Sequence, residues 1–342
     1  GTPYTMSVLR AMLRDDKLSM KNQMKTMPTG EIVQLGKDLS LEFVSMTHST
    51  LQSSIVALHT KKGVILYVPD FKLDNHPIIG EKPNYDRLKE LKDEGVIALF
   101  ADSLYSRYDM KMPSERVARE MLQDVLFETE NRGNAIVGTC FASHIERLKS
   151  FVEFGNKMGR RVVLLGRSMM KYCDAADEVG LVDFRKQAEI VGYGRDVKRK
   201  LHEIEKQGAG NYLIVCTGGQ GEKHSVLSRM MRDDYPFQFM NEDHVIFSNR
   251  VIPVEPNIAN RAEIERRLRE FGVRIFADIH VSGHAAREDV RELVRMTEPE
   301  HLIPCHGPHN LVRSAAEMAE GMGYKLGRDV HLLENGKKVI LK

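Results

Sequence analysis

The chain contains no tryptophan, and aromatic residues make up only 7% of it. Proteins that bind single strands without sequence preference stack bases on aromatic rings, so no stacking platform is evident here. There are four cysteines, Cys140, Cys173, Cys216 and Cys305, and none forms a CxxC pair. Most lie in or beside apolar runs, which reads as buried, reduced thiols of a cytoplasmic protein. No run of 18 apolar residues and no signal peptide is visible, so no membrane partner is expected. Charge of one sign is also lacking. A net +2 sets up no global field towards nucleic acid or lipid, and any anion-binding surface must be a local patch. Finally, no two of the thirteen histidines are separated by a single residue, and there is no HExxH, so no short motif fixes a metal geometry.

What is present is an ordinary globular composition, 42% hydrophobic and 29% charged, over 342 residues. That length holds one large or two ordinary domains. The stretch from 279 to 309 organises the rest. Ile275 to Val281 is apolar and β-branched and predicts a buried strand, followed by the tight turn Ser282-Gly283-His284. Val290, Leu293 and Val294 share one face of a helix starting near Arg287, which Thr297-Glu298-Pro299 stops. His301 to Cys305 predicts a second strand with His306-Gly307 at its end. His284 and His306 are thus expected to leave the ends of two neighbouring strands, the edge of an α/β sheet where ligands bind. A hydrogen-bonded structural role for each is the competing reading.

Earlier in the chain, Met6, Leu9, Met12 and Leu13 share a helical face, with Thr5 as its N-cap. Strands are predicted from Leu41 to Met46, Gln52 to His59, Gly63 to Val68 and Gly95 to Phe100. Three of them deliver a polar residue at their end: His48, Asp70 and Asp102. From Ser114 strands and helices alternate, which implies parallel βαβ units. The first texture returns at Gly272. The organisation read from this is a first domain over 1–113, an inserted domain over 114–271, and the remainder of the first domain over 272–342.

His48, Asp70 and His306 form the ligand palette of zinc or a similar divalent ion. A shared carboxylate can bridge two ions and clamp a phosphodiester. The alternative is that Asp70 caps the turn after its strand. Thr217-Gly218-Gly219-Gln220-Gly221-Glu222 follows a strand and precedes a helix, where backbone amides favour anions. It lacks the Gly-Lys-Ser/Thr ending of a P-loop, so a polymer phosphate or a plain tight turn remain as readings. Ser143, His144 and Arg147 open another helix, as phosphate contacts or as a capped, solvated helix start.

Spread over nearly the whole chain, these residues resemble the RNase J family of metallo-β-lactamase-fold ribonucleases with a β-CASP insertion, most closely its archaeal branch. Gly1-Thr2-Pro3-Tyr4-Thr5 is similar to the turn after the family's first ligand segment, and Thr47-His48-Ser49 to its strand-end His. Pro69-Asp70-Phe71-Lys72-Leu73-Asp74 resembles its Gly-Asp-Phe-Lys segment, and Ala101-Asp102-Ser103 the opening of its β-CASP signature. Val281-Ser282-Gly283-His284 resembles its Ser-Gly-His, Ile303-Pro304-Cys305-His306-Gly307 its Pro-x-His-Gly, and the run from Cys216 to Glu222 its Thr-Gly-Ser-Gln-Gly-Glu.

The resemblance implies an α/β chain: a metallo-β-lactamase (αββα-type) sandwich, N-terminally incomplete, with an inserted parallel-sheet β-CASP domain. It implies two Zn2+ ions that grip the scissile phosphate and supply the attacking hydroxide. His48 would ligate one, His306 the other, and Asp70 would bridge them. His284 would stabilise the developing charge or assist the leaving oxygen, and Asp102 would orient a ligand His. Ser143, His144, Gly218, Gly219, Ser282 and Gly283 are the candidates for RNA phosphate contacts. The implied function is zinc-dependent RNA hydrolysis in the cytoplasm, 5′-to-3′ from a 5′-monophosphate end of single-stranded RNA, with internal cutting also in the family's range, by a homodimer. The family's His-x-His-x-Asp-His is absent, and it would precede the Gly-Thr turn at which this chain begins. The expectation is therefore a shortened chain that binds little metal and is inactive alone, because zinc sites use three or four protein ligands per ion. Two other readings stand beside it: an RNA-binding scaffold that has lost its metal centre, and a fold relative acting on a thioester or lactam.

Overall fold

A computed structural model describes residues 1–341 of the chain. Twelve strands and ten α-helices, numbered in chain order, form two units with one sheet each. The first unit comprises Gly1–Met6, Ser19–Ser114 and the chain from Ser282 onward; the second comprises Ser7–Leu18 and Glu115–Val281.

In the first unit, β1 (Ile32–Gly36), β2 (Leu39–Ser45), β3 (Ser54–Thr60) and β4 (Gly63–Val68) form an antiparallel meander. Helix α2 (Tyr85–Glu94) leads to β5 (Val96–Asp102), which joins β4 in parallel, and β12 (His301–Cys305) joins β5 in parallel. Alternation in β3 and β4 sends Ile55, Ala57, Val64, Leu66 and Val68 to one face. They meet Leu88 and Leu91 of α2, and Val290, Leu293 and Val294 of α9 (Arg287–Thr297). Burying each Leu in this cluster contributes roughly 1.5–3 kcal/mol. α10 (His309–Glu320) adds Ala316 and Ala319 to the same core.

The second unit is built on six strands, all parallel, in the order β11-β10-β6-β9-β7-β8. These are β6 (Ile136–Thr139), β7 (Arg161–Leu165), β8 (Glu189–Val191), β9 (Tyr212–Cys216), β10 (His244–Phe247) and β11 (Arg274–Phe276). Helices α3 (Glu115–Phe127), α4 (Ile145–Lys157), α5 (Arg167–Glu178), α6 (Gly194–Gln207), α7 (Val226–Met230) and α8 (Glu255–Glu270) alternate with them. β6 and β9 are buried along their whole length, as strands covered on both faces are. Gly138 in β6 faces the ring of Phe151, where a Cβ would stand 2.5 Å from a ring carbon; only glycine lets α4 lie this close. The fold class expected from the sequence, α/β with an inserted all-parallel sheet, is the one observed.

Several local expectations are corrected. Helix α1 (Pro3–Asp15) begins at Pro3 rather than after a Thr5 cap, because proline is preorganised for a first turn. Its residues from Ser7 belong with the second unit. The strand expected over Ile275 to Val281 is only Arg274–Phe276; it pairs with β10, and 272–281 group with the second unit. The strand beside β12 is therefore β5, not the segment before His284. Among the described residues, the segment after α10 contributes isolated bridges from Val330 to Leu302 and Leu326. Helix α2 escaped notice because eight of its ten residues are exposed or only partly buried; Asn84 caps it, accepting from the Arg87 amide at 3.0 Å. No helix among the described residues is long and apolar enough to cross a membrane.

Candidate metal centre

The parallel register of the first sheet creates the site. Cys305 at the end of β12 stands opposite Asp102 at the end of β5, and Val68 at the end of β4 opposite Ala101. Asp70, two residues past Val68, and His306, one past Cys305, therefore emerge together at one sheet edge. His306 holds a φ of 56°, left-handed backbone that a histidine rarely adopts and that costs on the order of 1–3 kcal/mol. Its Nε2 lies 3.3 Å from Asp70 Oδ1. His284 arrives from the turn before α9, its ring stacked on His306 with centroids 5.1 Å apart and planes 17° apart. One donor atom from each of Asp70, His284 and His306 falls within 4.8 Å of the others. A carboxylate oxygen and two imidazole nitrogens form a donor set that suits zinc and its neighbours. Asp70 and His306 are about half exposed, so an ion and its substrate have access.

Beneath them Asp102 is wholly buried. Burial pushes its carboxyl up, against the pull of the His284 hydrogen bond and charge. Its Oδ2 lies 2.8 Å from His284 Nδ1, and its Oδ1 accepts from the Leu104 amide at 2.9 Å. With Nδ1–H given to Asp102, His284 turns its Nε2 lone pair outward, the tautomer a ligand or a proton acceptor needs.

His48, expected as a ligand, stands beside the cluster instead. Its Nδ1 lies 2.7 Å from the Gly283 carbonyl and its Nε2 3.2 Å from Ser49 Oγ, so both ring nitrogens already face oxygens. Its ring packs edge-on against His284 at 4.8 Å. Conversely His284, expected to act on the leaving oxygen, is one of the three convergent donors. Gly283 is required for this approach: a Cβ there would lie 2.7 Å from the Ser49 backbone nitrogen. Ser282 caps the turn, its hydroxyl accepting from the His284 amide at 3.1 Å.

In the second unit, His144 and Arg147 are corrected as phosphate contacts. His144 is buried with Nε2 3.4 Å from Glu115 Oε2, and Arg147 is wholly buried and forked onto the same carboxylate at 2.6 and 2.8 Å. Burial works to raise the Glu115 carboxyl, but the charges and hydrogen bonds of His144 and Arg147 prevail and hold it well below the usual range. Neither buried side chain is open to a phosphate. Ser143 remains partly exposed. Gly218 and Gly219 line a cavity of ≈ 570 Å³ at the carboxyl end of the parallel sheet, shared with Ser168, Tyr193 and Arg229. Arg229 lies 4.4 Å over the Tyr235 ring. Sequence reasoning passed over Arg229, in the last turn of α7, because no motif surrounds it.

Known proteins match along almost the whole chain, the two family models meeting within α8 of the second unit. Residues 133–266 match the family model "Ribonuclease J, beta-CASP domain", and residues 265–332 match "Zn-dependent metallo-hydrolase RNA specificity domain". The chain is 42% identical over 338 residues to Ribonuclease J of Methanocaldococcus jannaschii, covering 98% of this chain and 75% of that protein. It is 40% identical over 340 residues to Ribonuclease J of Pyrococcus abyssi, covering 99% and 75%. Against Ribonuclease J of Synechocystis sp. it is 29% identical, covering 100% of this chain and 52% of the other. A crystal structure of a protein of unknown function from Enterococcus faecalis V583 shares the fold, with a TM-score of 0.61 at 16% identity over 89% of this chain and 69% of that one. The chain belongs to the Ribonuclease J family.

Proposed function

We propose that the chain is the body of a metal-dependent ribonuclease that hydrolyses RNA phosphodiesters with zinc, working 5′-to-3′ from a 5′-monophosphate end. The observation that carries this is the convergence of Asp70, His284 and His306 above buried Asp102. Those three side chains would hold the ion, which would supply Lewis acidity at a phosphate oxygen and lower the pKa of the attacking water. The chain's own residues do the rest. Asp102 fixes the His284 tautomer, Gly283 and Ser282 set the turn that presents it, and His48 buttresses its ring. Gly218 and Gly219 would meet RNA phosphates in the cavity that Arg167 and Arg229 also line, and Ser143 would meet them outside it.

Three convergent donors match the protein complement of one catalytic zinc, so this polypeptide should hold one ion with an open position for water. One site in place of two ions favours slow cutting and, as a second reading, an RNA-binding relative without turnover. We place the active protein in the cytoplasm as a homodimer, to be read by sedimentation.

The test is binding and cleavage of single-stranded RNA carrying either a 5′-monophosphate or a 5′-hydroxyl, with zinc and with chelator. Zinc-dependent loss of a 5′ label, faster from the monophosphate, supports the proposal. Arg229→Gln should weaken RNA binding and flatten its salt dependence by about one unit of slope. Binding without any cleavage supports the scaffold reading, and a flat salt response in the native chain removes the RNA-binding surface altogether.

A further inference from the structure

The loop that carries Asp70 is fastened by buried charged groups for which the proposed chemistry has no use. The Lys72 and Asp74 side chains are 4% and 2% exposed, with the ammonium 3.3 Å from Asp74 Oδ2. Lys72 Nζ also donates to the Pro113 carbonyl at 3.3 Å, and Asp74 Oδ1 accepts from the His76 amide at 2.8 Å. Thr47, the residue before His48, forms an antiparallel bridge with Lys72. The Lys72 amide donates to the Thr47 carbonyl at 2.8 Å, the Thr47 hydroxyl donates to the Lys72 carbonyl, and the same hydroxyl accepts from the Asp74 amide at 3.1 Å. One residue thus ties the chain entering His48 to the chain leaving Asp70.

Stability alone does not call for charges at this depth. A buried ion pair carries a desolvation penalty that a well-packed apolar pair of the same volume avoids. What the apolar pair lacks is direction: the ammonium is aimed at one carbonyl and the carboxylate at one turn amide. Asp70 is itself half exposed, so its position is set by the backbone beneath it rather than by its own packing.

We propose that Thr47, Lys72 and Asp74 are positioning residues, a buried clamp that sets the distance between the Asp70 carboxylate and the imidazoles of His284 and His306. The inference rests on the metal-centre reading. Groups that orient metal ligands change metal affinity by about 10–100-fold when removed, and that is the effect expected here.

The test uses the whole chain, with zinc affinity measured by competition against a chromogenic chelator and thermal unfolding measured separately in EDTA. The double variant Lys72→Met/Asp74→Leu removes both charges at similar volume. It should unfold within a few degrees of the native chain and bind zinc about 10–100-fold more weakly. Thr47→Val should weaken zinc in the same way, and Thr47→Ser, which keeps the hydroxyl, should restore it. If both the double variant and Thr47→Val bind zinc as the native chain does, the clamp is a fold element only and the proposal fails while the metal centre stands. If the native chain itself takes up no zinc, both fail together.

Discussion

Arg147 is the most heavily engaged cation of the second unit, and removing it should be costly. Its guanidinium is wholly buried and makes five hydrogen bonds: two to the Glu115 carboxylate, two to the hydroxyl and carbonyl of Ser248, and one to the Ile279 carbonyl. Arg147→Met keeps much of the stem's packing but takes the guanidinium fork from Glu115, itself almost wholly buried, and a donor from two carbonyls. Breaking a buried pair on one side typically costs about 3–5 kcal/mol. For a unit of this size each kcal/mol moves the midpoint by about 2–4 °C, so thermal unfolding should fall by roughly 10 °C. The assay is scanning calorimetry of the whole chain at neutral pH. Adding Glu115→Gln should recover a good part of the loss, because the buried carboxylate no longer carries a charge that has lost its guanidinium. A single variant that shifts the midpoint by less than about 3 °C, or a double variant no better than the single, would show that solvent or rearrangement compensates the carboxylate. The energetics given to this network would then be wrong.

Two further outcomes follow from the same structure. Asp102→Asn should lower zinc affinity about 10–100-fold, as lost support of a ligand His does, while leaving unfolding in chelator unchanged or raised, since burial already disfavours the charged carboxylate; equal affinity would remove Asp102 from the site. His280 is pushed down to about 3 from 6.5, first by burial and then by the charges of Arg147 and His144, partly offset by Glu115. A depressed histidine leaves the unfolded chain with more bound protons between those values, so its contribution is present above pH 6.5 and lost on acidification towards 3. The loss should reach about 2 kcal/mol by pH 5, read as a pH-dependent midpoint that flattens in His280→Phe; identical profiles would exclude His280 as the cause.

Much of the site is legible in sequence because strand ends are. An apolar run followed by a polar residue and a turn marks Asp70, Asp102 and His306 whatever surrounds them, and β4, β5 and β12 end within two residues of each. The buried runs of β6, β7 and β9 and the helices between them likewise announce a parallel sheet, because period and turn chemistry are local properties. Periodicity fails where local pattern is weak. The Ile275 to Val281 run is apolar enough for a strand, yet most of it makes no ladder, since the Ile279 carbonyl is satisfied by Arg147 instead.

Partnership was a different matter, because it depends on which chain segments meet. Composition cannot say that β4, β5 and β12 lie side by side, which brings His306 to Asp70, or that the turn before α9 sets His284 against Asp102. Nor can it say that His48 turns to the Gly283 carbonyl, or that His144 and Arg147 face inward to Glu115 rather than out to a phosphate. Residue type and spacing determined the elements, the chemistry available and the family. The direction in which each imidazole and guanidinium points was decided by contacts between residues 29 positions apart for His144, 32 for Arg147 and up to 236 for the histidines of the site.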